Sequence, residues 1–457
     1  MAVTSGINSA NTGTGLGQGI DVQAMVTASL AGDQANINQL QNSQNALSAQ
    51  TKALQQITTE LSALSSAAFT LRDPLGSLNS FTTSTSNSSV LSAAASAAAQ
   101  AGTHTITVTS LATTSSYYSD AAAASNTPLA TGDTVSISVG GRTAVGISIT
   151  SSNNTLDGLA ASINSTANIG VTASVITDAN GARLALVSNT TGAPGNLSVT
   201  GTLHLTDVGN TPVNFNSAVV GTNADLRVDG IPISSASNTV SGVINGVTLN
   251  LTAPTPVGTP VTLTVSPDTS KASDSINQFV SAYNTVIKDI SSQFTVGSDG
   301  TGGGPLEADG SVREAQSTLL SAVAASISGN NGIVNLASLG VNLNNDGTLS
   351  VNSGALSSAL AANFASVQNF FQAPTTGFAL NLGTTLTNLT DAGNGALGLD
   401  AKGISQSSND LAGQISDLQA ALAVRQENLI LVYSRVNATL QELPLLQAQL
   451  AQQLATA

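Results

Sequence analysis

The side chains able to do chemistry are few, and they are scattered. Cysteine is absent, which removes thiolate nucleophiles, thiolate metal ligands and disulfides together. The two histidines, His104 and His204, stand far apart, whereas a catalytic triad or a zinc site needs side chains that converge. His104 falls in an alternating apolar/polar run and His204 sits between Leu203 and Leu205, so each reads as a structural residue. No G-x-S-x-G elbow, no H-E-x-x-H pair and no lysine preceded by glycine occurs, so nucleophile-elbow, zincin and P-loop chemistry have no carrier. GTGLGQG (13–19) resembles a phosphate-cradling loop, but no strand leads into it. NNDGT (344–348) lacks the later bidentate glutamate of a calcium loop. GNGALGLD (393–400) is a single copy of what would have to be an array. Each of the last two reads as a turn, and the first as part of a flexible leader. With so few acids, a glycosidase-like carboxylate pair is not supported either. The reading is of a protein that is not an enzyme, with no catalytic, metal or cofactor-binding residue.

Composition points the same way. The 457 residues allow two to four domains, and a hydrophobic content of 41% allows real cores. Charge is the anomaly: 8% Asp, Glu, Lys and Arg, against roughly 25% in a typical globular protein. The solvated surface is therefore built from Ser, Thr, Asn, Gln and backbone, which suits a packed, self-associating or secreted assembly. Eleven basic residues, spread singly, accompany a net charge of −14. No cluster exists to neutralise phosphates, so nucleic acid is excluded as a partner and anionic membrane is disfavoured. The first Lys or Arg is Lys52 and no long apolar run precedes it, which argues against a general secretory signal. No stretch of about eighteen apolar residues is present to span a bilayer. Export, if it occurs, uses a route that does not read a cleaved signal.

The elements that must carry the function show themselves as two heptad stripes at opposite ends of the chain. Leu40, Leu47, Leu54, Leu61 and Ala68 recur every seven residues, joined by Ile57, Leu64 and Leu71, until Pro74 stops the run. At the other end Ile415, Leu422, Leu429, Val436, Leu443 and Leu450 form one row, and Leu411, Leu418, Arg425 and Val432 the second. Such alternation of threes and fours is a coiled-coil seam. The spans 36–72 and 404–443 would each be a helix of ~55–60 Å. Similar length and seam favour an intramolecular antiparallel or bundled pair; the alternative is that each packs on another internal helix. Almost no charge flanks either stripe, so ionic pairs are not expected to choose the partner. Pro444 should cost about 3 kcal/mol in a straight helix through its clash with the Leu440 carbonyl, predicting a kink or break there. GIDVQAMVTASLAG (19–32) reads as a separate short helix, with Val22, Met25, Val26 and Leu30 on one side and Gly32 weakening its end.

The middle of the chain changes period. THTITVTSL (103–111) alternates as a strand, and 135–149 reads as a hairpin about a Gly-Gly turn. Thr155 caps a short helix bearing Leu156, Leu159, Ala160 and Ile163. Residues 170–188 form two strands about Asn180-Gly181. Strands return over 224–265, helix from Lys271 with Ile276, Phe279, Val280, Tyr283 and Ile290 on one face, and a hairpin at 341–351. The fold class is α+β: N- and C-terminal helices forming a coiled-coil or helical-bundle stalk, with two β-rich head domains between them. The domains expected are a flexible leg over 1–35; a stalk from 36–83 and 271–457; a β-rich head from 84–120 and 221–270; and an inserted α+β head domain over 121–220. Both termini should meet at one pole and the β domains at the other.

With these segments laid out, the chain resembles the flagellar filament cap protein family, also called hook-associated protein 2 or FliD. GQGIDVQAMVTASLAG resembles its opening helix motif, and THTITVTSLAT (103–113) its first head strand. Residues 156–195, including Ile163-Asn164, resemble the inserted domain of flagellin-like proteins. SNTV (237–240), GVTLNL (246–251), FVSAYN (279–284) and SLGVNLNNDGTLSVN (338–352) follow in family order. One departure is the C-terminal coil, which is charge-poor and carries Pro444. The resemblance implies a non-enzymatic assembly protein, exported by the flagellar type III apparatus with an export chaperone and located outside the cell. It would form a homo-oligomeric ring at the distal filament tip, retaining flagellin and promoting its polymerisation, with no cofactor. The alternatives are an adhesin whose β heads bind host glycan or mucin, and a flagellin or hook-junction protein. The assembly residues are then Leu40, Leu47, Leu54, Ile57, Leu61, Leu64, Leu411, Ile415, Leu418, Leu422, Leu429 and Val436.

Overall fold

A computed structural model describes residues 19–206, 209–295 and 302–455. Most of the leader and most of the Gly-rich loop 297–304 lie outside the described residues. Among those described are helices α1 (Val22–Arg72), α2 (Leu156–Ser165), α3 (Thr269–Phe294), α4 (Gly310–Ala324), α5 (Ser353–Gln372), α6 (Phe378–Thr390) and α7 (Ala396–Ala455). The chain divides into two units, one of residues 1–72 with 275–457 and one of residues 73–274. Helical ends and a β-rich middle make the fold mixed α and β, as the two periodicities require.

In the helical unit, α1 runs unbroken from Val22 through Gly32 to Arg72, so residues 22–35 are not a flexible leg or a separate short helix. Gly32 is exposed and costs only about 1 kcal/mol, while Val26, Leu30 and Ile37 on either side are buried. Met25, by contrast, points outward. The helix ends before Asp73-Pro74, and the strand Phe81–Thr85 already pairs with Val261–Pro267. Residues 73–83 therefore belong with the β unit; Pro74 disfavours helical geometry at Asp73, and here no burial directly beyond Arg72 offsets that cost.

The FVSAYN stretch of α3 and the later hairpin explain one another. Phe279 and Tyr283 are fully buried and meet Phe378, Phe370 and Phe371 in one aromatic cluster, with edge-to-face packing of Phe279 on Phe378 at 5.7 Å between centroids. The Tyr283 hydroxyl donates to the Gly347 carbonyl at 3.1 Å. The Asn284 amide donates to Leu349 O at 2.8 Å and accepts from Leu349 N at 2.7 Å. A polar pair thus pins the hairpin Val341–Leu343/Leu349–Val351 to α3.

The β unit has two cores. One lies between a five-stranded sheet, in the order Phe81–Thr85, Val261–Pro267, Gly102–Ser110, Ala224–Val228, Ile231–Ser235, and a three-stranded sheet of Thr239–Ile244, Val247–Leu251 and Leu91–Ala95. The other lies between two four-stranded sheets, with α2 against it. Thr155 caps α2 by accepting from Gly158 N at 3.0 Å, and Leu156, Leu159, Ala160 and Ile163 are buried. Thr114–Ser119 pairs with Gly181–Thr191 and Phe215–Val219, so the inserted part begins near residue 113 rather than 121. Asp178 pairs directly with Gly181, which makes Ala179-Asn180 the turn. Gly181 serves another purpose: a Cβ there would collide with the Ala122 carbonyl.

Asn164, next to buried Ile163, closes an edge. Its amide donates to Ala173 O and its oxygen accepts from Ala173 N, both at 2.8 Å. Val171–Asp178 is the outer strand of its sheet, and Asn164 imitates the neighbour that strand lacks. The histidines are likewise ties. His104 Nδ1 lies 2.7 Å from Asp229 Oδ2, and His204 Nδ1 lies 3.0 Å from Asp133 Oδ2. The His104 hydrogen bond, with one from Thr105 N, holds the Asp229 carboxyl below its usual range.

Candidate assembly surface

The two heptad stripes meet. Ile20 N donates to Asn437 Oδ1 at 2.9 Å, the Ser29 and Tyr433 hydroxyls lie 2.9 Å apart, and Arg425 Nη1 reaches Asp33 Oδ2 at 2.8 Å. Further along, Asp33 and Ile37 border Leu418 and Leu422. Leu54 and Thr58 face Leu397, Ala401 and Asn409 across an open groove of about 910 Å³. Numbers rise on α1 as they fall on α7, so the pair is antiparallel. Leu54, Ile57, Leu61 and Leu64 are at most 1% exposed, because this half of α1 packs on α5 and α6 as well as α7. Leu40 and Leu47 are partly buried. Both sequence readings are thus realised: pairing of the two ends over the outer half of α1, packing on internal helices over the inner half.

On α7, Leu411, Ile415, Leu418, Leu422 and Leu429 are turned inward, Ile415 most completely. Val436 is not: it is 44% exposed. After Leu422 the shielded positions are Gln426, Leu429, Tyr433, Asn437 and Leu440, an eleven-residue spacing in place of a seven-residue one. A straight helix drifts about 20° per heptad against a 3.5-residue repeat. Here the polar contacts of Tyr433 and Asn437 hold the slipped face against α1. The same slip brings Arg425 to the rim, where it pairs with Asp33, so one ion pair does help set the register. An eleven-residue count from Leu422 and Gln426 would have found Tyr433 and Asn437. Nothing local marks Ser29 or Asp33, which are defined only by what lies opposite.

α7 continues through Pro444 without a break. Residues 441–450 are all exposed, so water can bond the Leu440 carbonyl that proline leaves without its amide partner. Val432, Val436, Leu443, Leu445, Leu446, Leu450 and Leu454 stand exposed along this end.

Two carboxylate pairs lie between helices of this unit. Asp309 caps α4, accepting from Ser311 N at 2.8 Å and Val312 N at 3.2 Å. The Ser311 hydroxyl lies 2.6 Å from Asp309 Oδ1 and 3.0 Å from Asp400 Oδ2. Burial, then the adjoining Asp309 carboxylate, pushes Asp400 up to about 6. Burial also acts on Asp309, but hydrogen bonds from Asp400, Ser311 and Val312 outweigh it and hold that group low. Burial raises both Glu60 and Asp289, and Glu60 Oε2 and Asp289 Oδ2 are enclosed without hydrogen-bond partners. Among the described residues no group of three or more His, Cys, Asp or Glu is arranged to hold a metal, and no helix is long and apolar enough to cross a membrane.

Two family models match: the flagellar hook-associated protein 2 N-terminus over residues 18–115 and its C-terminus over residues 221–443. Most of the inserted part lies between them. The B-type flagellar hook-associated protein 2 of Pseudomonas aeruginosa is 34% identical, covering 92% of this chain and 93% of its own. The flagellar hook-associated protein 2 of Escherichia coli is 28% identical, covering 87% and 88%. Among solved structures, the D1-D2-D3 domains of the flagellar cap protein FliD from E. coli superpose with a TM-score of 0.60 at 29% identity, over 77% of this chain and 99% of that one. Matching segments at both ends of the chain, in the same order and joined in one antiparallel helix pair, place the chain in the flagellar hook-associated protein 2 (FliD) family.

Proposed function

We propose that this chain is the cap subunit of a bacterial flagellar filament. Several copies close into a ring at the distal tip, hold back flagellin arriving from the cell and direct its addition beneath the ring. The observation that carries this reading is the antiparallel α1/α7 pair in a chain whose relatives are caps. Its outer end presents apolar side chains with one charged residue, Glu442, beyond Arg435. Such a surface docks by burying apolar area, each buried leucine contributing about 1.5–3 kcal/mol, and salt screens that contact little. Neutral, apolar contacts also let the ring shift between equivalent subsites as subunits add. The work is mechanical and needs no bond-making step.

The chain reaches the tip through the flagellar type III export apparatus, escorted by an export chaperone, and acts outside the cell. Freedom from cysteine suits such a route, since a chain passing unfolded through an oxidising exterior cannot be trapped by a wrong disulfide. Adhesion through the β unit is the second reading, and among its described residues no feature favours a glycan over any other partner.

Deletion of the gene tests the proposal. Unpolymerised flagellin should accumulate in the medium, and filaments of ordinary length would refute it. Filament elongation that fell steeply between low and moderate salt would count against apolar docking.

A further inference from the structure

The chain holds four Asn-Gly dipeptides, at Asn180, Asn245, Asn331 and Asn394. In such a pair the backbone nitrogen of glycine can attack the asparagine side-chain carbonyl, because glycine brings no Cβ to block the approach. The fold treats the four differently. Gly395 is buried, and its N–H already donates to Asp391 O at 2.8 Å. The Asn245 amide is tied to Ala98 O at 3.1 Å, and the Ala98-Ala99 backbone lies against Gly246. Gly181 opens a strand and pairs with Asp178, and the Ala122 carbonyl closes over its Cα. Each of these three is held by neighbours that ring closure must displace.

Asn331-Gly332 has no such restraint. Both residues are exposed and take positive φ, 50° and 86°, at the centre of a tight turn closed from Ile333 N to Asn330 O at 3.0 Å. Among the described residues, the Asn331 side chain and the peptide joining it to Gly332 have no hydrogen-bond partner. Nothing stands within 4 Å of the place a Gly332 Cβ would take. The anchor lies one residue earlier. Buried Asn330 donates to Ile333 O at 2.9 Å and to Ser366 O at 2.7 Å, and accepts from Asn369 Nδ2 at 2.9 Å. The flank is thus fixed on α5, while the central peptide can swing against its own side chain.

We infer that Asn331 is a site of spontaneous covalent modification, deamidation through a cyclic imide. The Gly332 nitrogen bonds to Asn331 Cγ, the Cγ–Nδ2 bond breaks, and the proton of that nitrogen leaves with ammonia. Water then adds to the imide. Opening at Cγ gives aspartate at 331; opening at the main-chain carbonyl gives isoaspartate, whose backbone runs through the side chain. Water is consumed and ammonia released, with no oxidant or reductant. Both products add negative charge to a chain that already carries −14. Isoaspartate also puts an extra methylene into a two-residue turn, which draws Ile333 away from the Asn330 amide and loosens residues 329–333 from α5. On the proposed reading that subunits stay outside the cell, the change accumulates from export onward and records a subunit's age. The chemistry itself does not need that reading.

The test is to keep the purified full-length chain in warm, mildly alkaline buffer and map its peptides by mass spectrometry. Asn331 should convert about tenfold faster than Asn180, Asn245 or Asn394, since each of those must first release restraints worth at least one hydrogen bond. In unfolding urea the four rates should converge, because the dipeptide is the same at each. Isoaspartate should appear at 331, with faster hydrogen exchange at Ile333 in the converted fraction. Asn331→Gly keeps the turn, because glycine accepts a φ of 50°, and should remove the fast phase of ammonia release. Faster conversion at any of the other three in the folded chain would overturn the inference. So would a lead for Asn331 that survives in urea, or ammonia release from Asn331→Gly at the wild-type rate.

Discussion

Replacing Asp400 by Asn should make the helical unit more stable at neutral pH and flatten its pH dependence. A hydroxyl has one proton, and the Ser311 hydroxyl stands 2.6 Å from Asp309 and 3.0 Å from Asp400. Asp309 takes that proton along with two backbone N–H donors, so an ionised Asp400 would face a carboxylate with no proton between them, whereas a protonated Asp400 donates to Asp309. Its rise from 3.8 to about 6 follows from burial and from the neighbouring carboxylate. A folded-state value above the unfolded one means the native state binds the proton more tightly. The associated stability is full below about pH 4 and is lost as pH climbs through about 6. Two units correspond to about 3 kcal/mol, and water still reaches the side chain, which reduces the effect to about 1–2 kcal/mol. The raised Glu60 and Asp289 act in the same direction, whereas Asp309, held low, weakens the fold only in stronger acid. Lys402, also on α7, borders the groove against α1, and Arg313 on α4 lies over the Phe294 ring and donates to Glu307 O. Urea unfolding followed by helical circular dichroism at pH 5 and 7.5 should show the wild type losing more stability than Asp400→Asn. Equal losses, or a variant no more stable at pH 7.5, would refute the shared-proton account.

Asn164→Leu should cost about 2–3 kcal/mol for two lost backbone bonds and speed hydrogen exchange at Ala173; unchanged exchange there would show that the edge is protected by something else. Asn284→Ala should free the hairpin at 341–351, with a cost of about 2–3 kcal/mol and new protease cuts in it, while a protected hairpin would mean that Tyr283 alone suffices. Asp33→Arg should lower stability by less than about 1 kcal/mol, since the pair is exposed. Combining it with Arg425→Asp should restore the register, read as exchange protection over residues 22–37.

Period and punctuation carried most of the architecture. A repeat of seven can be buried only as helix and a repeat of two only as strand, so the helical ends, the β middle, the stop at Pro74 and the Thr155 cap were legible from local residues. The breaks in that reading share one cause. Gly32 and Pro444 are helix breakers in isolation, yet they lie inside α1 and α7, because flanking burial at one and solvent access at the other outweigh a local cost of about 1–3 kcal/mol. Asn180-Gly181 carries the right turn composition, but the approach of Ala122 to Gly181 decided which residues form the turn. Position 436 is apolar and in phase, and only the opposite helix, through Ser29 and the backbone at Ile20, moved the seam to Tyr433 and Asn437. Sequence by itself determined which faces are apolar, for that depends on spacing along one chain. Which apolar face meets which partner, and which carboxylates share a proton, was decided by the tertiary structure, because those energies exist only between groups brought together across hundreds of residues.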